Sequence, residues 1–328
     1  MCTNRRSWSV NARVLSWCLI GALVATLYAA DAQLTRDDLV AIAQANAEAI
    51  TAVEMQFDVK QAYLEPPKHP VPLCSDLHCR FLFDMQKGRF LYRSVVKAPA
   101  YPKPDVIVTA YDGADRSEYI ASTKSGTILA NPPPDSVPTS DKTTVLAAAM
   151  VMPPKPGGFG LNDGSMVSLL KHQASEVQAA PERVEGQKVY VCTSGTPQRR
   201  LPVAWVSPDW GALPVKLLTY AQVSSGEFRV MSELRVLEAR RFDDHKGRHV
   251  WLPIRFETVD RPRDGSVVKI QVTVEPESIR INPELTDTDF RVPFPVGTVV
   301  KDVASNAEFK QTDVLPASRA AWTAEAPE

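Results

Sequence analysis

The spacing of apolar residues changes near the start of the chain from a helical period to an alternating one. Apolar residues first recur every three or four positions, which predicts an amphipathic helix over residues 36–52. Thr35 begins this helix, and Asp37 and Asp38 fall in its first turn, where acidic side chains favour the positive helix end. The apolar stripe consists of Leu39, Ile42, Ala43, Ala47 and Ile50.

From residue 53 apolar and polar positions alternate, which is typical of a half-buried strand. The apolar set is Val53, Met55, Phe57 and Val59. After a proline-rich loop, the segments RFLFDM and FLYRSV flank the turn QKGR, which predicts a β-hairpin over residues 80–95. Its apolar face combines Phe81, Phe83 and Met85 with Phe90 and Tyr92.

The rest of the chain predicts a meander interrupted once. Two more strands fit DVIVTAYDG and SEYIASTKSGTILA. Residues 131–180 then carry proline-rich loops and two short helix candidates, KTTVLAAAM and GSMVSLLKHQASEV. Six further strands follow: QKVYVCTS, RRLPVAWVS, LPVKLLTYAQ, EFRVMSELRVLEARRFDD, RHVWLPIRFETVD and SVVKIQVTVEPESI. We therefore predict a mainly β protein with an antiparallel up-and-down sheet of about ten or eleven strands, which must curl or close.

The apolar face of such a sheet must be covered, and the three predicted helices are the candidates. An open barrel with helices over its mouth leaves an apolar cavity, where an extended lipid can bind. A fully packed core of sheet and helices satisfies the same pattern without a cavity. The pattern alone leaves both alternatives open.

The first 32 residues are predicted to be a secretory signal peptide. Arg5, Arg6 and Arg13 precede an apolar run over residues 14–30, and the sequence Ala30-Asp31-Ala32 fits cleavage after Ala32. An uncleaved membrane anchor is the alternative, because the run is borderline for a span. The remaining chain is divided into a main domain over 33–303, with the insert at 131–180, and a flexible tail over 304–328.

The net charge and the absence of catalytic motifs argue against nucleic-acid binding and enzyme activity. The 328 residues include 37 Lys and Arg and 38 Asp and Glu, so the net charge of −1 gives no field that attracts nucleic acid. His245 and His249 have the spacing of metal ligands on a helix, but they lie in a predicted turn, which disfavours a metal site. Asp287 and Asp289 suggest calcium only weakly, because the other ligands of a calcium-binding loop are missing. No G-x-S-x-G motif or phosphate-binding loop occurs in the sequence. We expect no enzyme activity, no metal and no cofactor.

The cysteines of the exported chain indicate structure rather than catalysis. Cys74 and Cys79 either form a disulfide or remain free thiols. A zinc site that adds His78 to this pair has an unusual ligand spacing and is disfavoured. Cys192 lies in a strand pattern and is expected to be a small buried residue.

Several motifs in the second half resemble those of LolA-like outer-membrane lipoprotein-sorting proteins. VAWVSPDWGALPVKLLTY resembles a hairpin of that family, and WLPIRFETVD resembles the strand after its glycine turn. The ending SIRINPELTDTDFRVPFPVGTVVKD resembles the family's C-terminal pattern. The matching positions are Ile281, Asn282, Leu285, Phe290, Pro295, Gly297, Thr298 and Asp302. The resemblance covers about residues 34–303. This chain is longer than a minimal member of the family, and its proline-rich insert is unusual for that family.

This resemblance implies an unclosed, half-barrel sheet with a helical lid. It also implies a periplasmic carrier that shields acyl chains of lipoproteins or other lipids, with transfer partners at the inner and outer membranes. The alternative is a regulatory module of the same fold that senses envelope stress by binding a membrane protein. The cavity is expected to be lined by Met55, Phe57, Val59, Phe81, Phe83, Met85, Phe90, Tyr92, Leu252, Ile254 and Phe256. The lid is expected to contribute Met150, Met152, Met166 and Leu169.

Overall fold

The computed structural model describes residues 33–68, 76–97, 104–130, 166–171, 175–178, 180–194, 202–222, 226–244, 246–262 and 264–312. The signal peptide, the predicted helix 142–150, Met150, Met152 and Cys74 lie outside these residues. All elements below belong to one compact unit, Arg36–Glu328. No helix within the described part of the chain is long and apolar enough to cross a membrane.

Two α-helices and seventeen strands make up the described structure. The helices are α1 (Arg36–Glu48) and α2 (Met166–Lys171). The first six strands are β1 (Ala52–Glu65), β2 (Asp76–Asp84), β3 (Arg89–Lys97), β4 (Asp105–Tyr111), β5 (Asp115–Ile120) and β6 (Ser125–Ala130). The next five are β7 (Ser175–Val177), β8 (Glu182–Val184), β9 (Gln187–Ser194), β10 (Val203–Ser207) and β11 (Leu213–Gln222). The last six are β12 (Phe228–Asp243), β13 (His249–Asp260), β14 (Val267–Val274), β15 (Arg280–Ile281), β16 (Val299–Asp302) and β17 (Ala307–Lys310).

One large sheet contains nearly all of these strands, and β1 lies at its centre. On one side of β1 the order is β2, β3, β4, β5, β6, β16, β17. On the other side it is β14, β13, β12, β11, β10, β9. Only β16 and β6 pair in parallel among the described strands. No described pairing joins the two ends, so the prediction of an unclosed, antiparallel, mainly β sheet is confirmed.

The element bounds differ from the prediction in four places. The segment 117–130 is a hairpin, β5 and β6, because the chain reverses at Lys124, whose φ of 49° is left-handed. The helix predicted over 164–177 ends at Lys171, and residues 175–177 form β7 instead. Helix α1 ends at Glu48, four residues earlier than predicted, and β2 begins already at Asp76. The structure has more strands than the predicted ten or eleven, because it includes short ones such as β8 and β15. A strand of two or three residues is too short to show an alternating pattern in the sequence.

The predicted tail begins inside a β-hairpin. Strands β16 and β17 pair over Val299–Asp302 and Ala307–Lys310, with the turn at residues 303–306. Strand structure therefore continues to Lys310, beyond the predicted boundary at 303. All four residues of β17 are exposed, which explains why their sequence does not read as a half-buried strand.

Apolar side chains form two separate clusters on opposite faces of the sheet. The interior cluster draws on β1, β2, β3 and β11–β14, and Phe57, Phe256 and Leu234 are among its most deeply buried members. The outer cluster lies on the other face of β2–β6 and includes Leu82, Leu91 and Val108. Residues 285–300 cover the outer cluster through Phe290, Val292, Phe294 and Val300.

Candidate ligand-binding face

All eleven residues predicted to line a cavity lie in or against the interior cluster. Nine of them are buried, and Met55 and Phe83 are partly buried and pack against the others. They come from β1, the β2–β3 hairpin and β13, which are far apart in the sequence. The structure therefore brings the predicted set together on one face, which we call the interior face.

Strand register explains this convergence on the first half of the sheet. Met55 pairs with Phe81, and Phe81 pairs with Tyr92 on the next strand. One row along, Val53 pairs with Phe83, Phe83 with Phe90, and Phe90 with Tyr111. Because paired residues on antiparallel strands point to the same face, each row is a continuous apolar band.

The second half of the sheet extends the same face through a further row on β14. Val59 pairs with Val272, Val272 with Phe256, and Phe256 with Val236. Leu252 and Ile254 precede Phe256 on β13 and are buried in the same cluster. The pairing of β1 with both β2 and β14 thus merges two apolar surfaces into one.

Aromatic rings form much of the interior face. Phe81 and Phe83 stack with their ring centroids 5.7 Å apart, and Phe90 and Tyr111 lie 6.2 Å apart in a tilted arrangement. The Tyr92 hydroxyl lies 3.0 Å from the Cys79 Sγ atom. These flat, weakly polar groups form a surface suited to alkyl chains rather than to charged ligands.

Polar groups lie at two borders of this face. At β5, Arg116 lies across from Tyr111 and forms an ion pair with Glu118, with 3.2 Å between nitrogen and oxygen. At β12 and β13, the Ser232 hydroxyl donates to Asp260 at 2.5 Å. The interior face is therefore apolar at its centre and polar at both borders.

One buried hydroxyl near the second border has no partner. Thr258 lies between Ile270 and Leu234 on the interior face and is 3% exposed. Its Oγ1 atom forms no hydrogen bond in the structure. A buried hydroxyl without a partner costs free energy, so Thr258 is a group that a ligand acceptor or donor would satisfy.

Helix α1 is fixed to the sheet at its C-terminal end. The Asn46 side chain donates to the Trp251 carbonyl at 3.1 Å and accepts from the Trp251 backbone N–H at 2.7 Å. Ala49 and Ile50, just after the helix, belong to the interior cluster. Gly211 approaches Asn46 so closely that a Cβ there would lie 2.9 Å from its Cγ, which explains the need for glycine.

Helix α2 occupies a different position from the predicted lid. It packs against α1, β7 and β9, and its residues Met166 and Leu169 are not among the described members of the interior cluster. Met166 is buried and Leu169 partly buried. Two exposed polar contacts join the helices: Lys171 donates to Gln44 at 2.9 Å, and Arg36 donates to the Lys171 carbonyl at 3.3 Å. The apolar residues Met166, Val167 and Leu170 of α2 are buried.

Among the cysteine and histidine candidates, Cys74 and His245 lie outside the described residues, so the alternatives for Cys74 and Cys79 stay predictions. Cys79 is buried on the interior face, whereas His78, its neighbour in β2, points to the outer face. The two side chains therefore cannot share a zinc ion. Cys192 is buried as predicted, and burial raises the pKa of its thiol to about 12. His249 is exposed and lies 2.6 Å from Asp243.

Residues 285–300, which we call the outer cover, are held in place by contacts that the sequence pattern does not predict. Arg89 is buried, donates to Asp84 at 2.7 Å and to Asp287 at 2.6 Å, and lies 4.3 Å from the centroid of the Phe290 ring. Burial alone would lower the pKa of Arg89, but these two carboxylates raise it. Asp289 accepts from Thr286, so both aspartates that weakly suggested calcium hold this segment instead.

Asn282, from the C-terminal motif, has a comparable structural role. Its Oδ1 atom accepts from the backbone N–H groups of Thr51 at 2.6 Å and Ala52 at 3.1 Å. Its side-chain nitrogen donates to the Ala49 carbonyl at 2.9 Å and to Asp244 at 3.1 Å. Asn282 thus ties the start of β1 to the far end of the chain.

Comparison with known proteins finds similarity in structure only. No protein-family model and no curated sequence matches the chain. A LolA superfamily protein, NE2245 from Nitrosomonas europaea, matches with 15% identity and a TM-score of 0.39, over 79% of this chain and 98% of that one. An uncharacterized conserved protein from Thermus thermophilus matches with 8% identity and a TM-score of 0.29, over 80% and 97%. A chain of the Pseudomonas aeruginosa MucA/MucB complex matches with 11% identity and a TM-score of 0.22, over 75% and 100%. Each of these solved structures is thus a distant structural likeness of this chain.

Proposed function

We propose that the chain is an exported, soluble carrier that works in the periplasm and binds acyl chains of lipoproteins or other lipids on its interior face. The observation that carries this proposal is the convergence of apolar side chains from both halves of the sheet, with Met55 and Phe83 only partly buried. The proposal assigns the protein a binding role without chemistry on the ligand.

The hydrophobic effect supplies the driving force. Burying each methylene of an acyl chain contributes roughly 0.8 kcal/mol. A chain of about ten methylenes therefore offers roughly 8 kcal/mol, which must exceed the cost of separating side chains that now touch each other. The partly buried pair Met55 and Phe83 marks the part of the face where this separation costs least, since fewer contacts are lost there.

The polar borders suit an amphiphile rather than a pure hydrocarbon. The centre of the face takes the alkyl part, while the Thr258 hydroxyl and the Ser232–Asp260 pair lie where an ester or amide group of the ligand can form hydrogen bonds. Satisfying the Thr258 hydroxyl would remove an existing cost, so ligands with a polar group at this distance should bind better than alkanes.

Ligand entry is proposed to involve the α2 side of the structure. Helix α1 is anchored through Asn46 and Ile50, so its C-terminal end stays with the sheet. Helix α2 is shorter, with six residues, and it lies outside the interior cluster, although its apolar side chains Met166, Val167 and Leu170 are buried. Of the two helices, α2 is therefore the one that we propose to move during ligand entry, at the cost of exposing these side chains.

The substitution Phe83→Glu tests the proposal. A carboxylate at this partly buried position places a charge among the aromatic side chains, so uptake of a fluorescent fatty acid should fall by at least about tenfold. Phe309→Glu is the matched control, because Phe309 is 45% exposed on β17, away from the interior face. It should bind as the unchanged protein does.

Thermal unfolding of both variants, followed by circular dichroism, separates lost binding from lost folding. Met55→Gln is a milder second variant if Phe83→Glu does not fold. Equal uptake by the Phe83→Glu variant and the unchanged protein would exclude the interior face as the site. A delipidated protein that binds no fatty acid but keeps a defined membrane-protein partner would instead favour the regulatory module.

A further inference from the structure

Three potential metal ligands meet on the outer face, opposite the interior cluster. Asp58 lies in β1, His78 in β2, and Glu275 directly follows β14. Asp58 and His78 are directly paired in the β1–β2 register, and Val274, before Glu275, ends the β1–β14 ladder opposite Phe57. The sheet itself therefore places these side chains side by side.

Their spacing is close to that of ligands around one ion. His78 Nδ1 lies 3.0 Å from Asp58 Oδ1, and one ligand atom from each of the three residues lies within 4.8 Å of the other two. Zinc binds nitrogen and oxygen at about 2.0–2.2 Å, which separates two neighbouring ligands by roughly 3.0–3.5 Å. The Asp58–His78 pair already has this separation, and a rotation of the Glu275 side chain brings in the third ligand.

The backbone around these residues is held in place. Glu275 donates its backbone N–H to the Gln56 carbonyl at 2.9 Å, which fixes the chain where it leaves β14. Asp58 and His78 lie inside strands paired on both sides. Only side-chain rotations are needed for binding, so the entropy cost is small.

The ligand types select a class of ion. One imidazole and two carboxylates suit divalent transition metals such as Zn²⁺, whereas Ca²⁺ and Mg²⁺ prefer oxygen alone. The Asp58 and His78 side chains are 53% and 42% exposed, which leaves room for water in the remaining coordination positions. A dication also offsets the repulsion between two neighbouring carboxylates.

We propose that Asp58, His78 and Glu275 bind one divalent transition-metal ion. The ion would link β2, β1 and β14, which is the junction between the two halves of the sheet. This site is independent of the proposed lipid carriage, because it lies on the opposite face and shares no residue with the interior cluster.

Titration of the purified, metal-free chain with Zn²⁺ by isothermal calorimetry tests the proposal. We expect about one equivalent to bind, with affinity lowered at least about tenfold by either His78→Ala or Glu275→Gln. Mg²⁺ and Ca²⁺ at the same concentrations should give no heat of binding. Zn²⁺ should also raise the melting temperature of the unchanged protein but not that of the His78→Ala variant.

Two control variants make the result specific. His249→Ala removes a histidine that is also exposed and also paired with an aspartate, so binding should be unchanged. Cys74→Ser tests whether the thiol four positions before His78 in the sequence is its true partner. Absence of Zn²⁺ binding, or binding that depends on Cys74 and not on Glu275, would overturn the proposal.

Discussion

Replacing Arg89 by Met should destabilise the fold, because it breaks a buried ion pair within the β2–β3 hairpin. The Arg89 side chain is 5% exposed and donates through Nε and Nη2 to the same oxygen of Asp84, at 3.2 and 2.7 Å. Methionine keeps an apolar stem over the Phe290 ring but removes the charge and all donors. Asp84, whose side chain is 10% exposed, is then left without its cationic partner.

The expected loss follows from the burial of this pair. Breaking a buried ion pair by removing one partner typically costs about 3–5 kcal/mol, because the remaining charge stays buried. The Asp287 contact adds little, since its side chain is 77% exposed and solvent screens the pair. We therefore expect the free energy of unfolding to fall by about 3–5 kcal/mol, most of it through Asp84.

Urea unfolding followed by tryptophan fluorescence measures this change. Arg240→Met is the control, because Arg240 forms a comparable pair with Glu238 but is 51% exposed, and its loss should stay within about 0.5 kcal/mol. The double variant Arg89→Met with Asp84→Asn should regain much of the lost stability, because no unpaired charge remains. A loss below about 1 kcal/mol for Arg89→Met would refute the reasoning that this buried pair stabilises the fold.

Two other changes test the packing and the ionisation of the same fold. A Cβ at Gly126 would lie 2.5 Å from Cε1 of the buried Phe294 ring, so Gly126→Ala should lower the free energy of unfolding by about 1–3 kcal/mol. Unchanged urea unfolding of this variant would contradict the tight fit. Burial would raise the pKa of Asp244, but hydrogen bonds from Arg248, the Lys246 backbone and Asn282 lower it well below its usual range. Because the folded pKa is depressed, this carboxylate stabilises the protein above the unfolded pKa of about 3.9 and the contribution is lost as the pH falls further. Urea midpoints between about pH 5 and pH 2 should therefore drop less steeply for Asp244→Asn than for the unchanged protein, and parallel slopes would speak against this role.

The interior face was predictable because its residues follow a period of two. Alternation assigns Met55, Phe57, Phe81 and Phe83 to one side of their strands without knowledge of the partners. Since every strand must bury its apolar side, residues from different strands then meet on one face. Their use in ligand binding stays a prediction, because period alone does not distinguish a packed core from a site.

The outer cluster escaped prediction for a physical reason. Strands β3 and β4 are apolar on both faces, as Leu91 and Val108 on the outer side demonstrate. This pattern indicates a strand buried on both sides but does not say what covers the second face. The cover, residues 285–300, has no helical or alternating period, and Arg89 meets Asp287 only after the chain has folded.

The position of β1 has a consequence for how the chain matures. Gln56 on β1 and Ser278, which hydrogen-bond to each other, are separated by 222 positions in the sequence. During synthesis, β1 and β2 emerge long before β14, so one side of β1 stays an open edge until the last quarter of the chain arrives. Contacts of such long range also slow folding. The polypeptide therefore remains incompletely folded for most of its synthesis, a state that exposes its open strand edge to aggregation until β14 arrives.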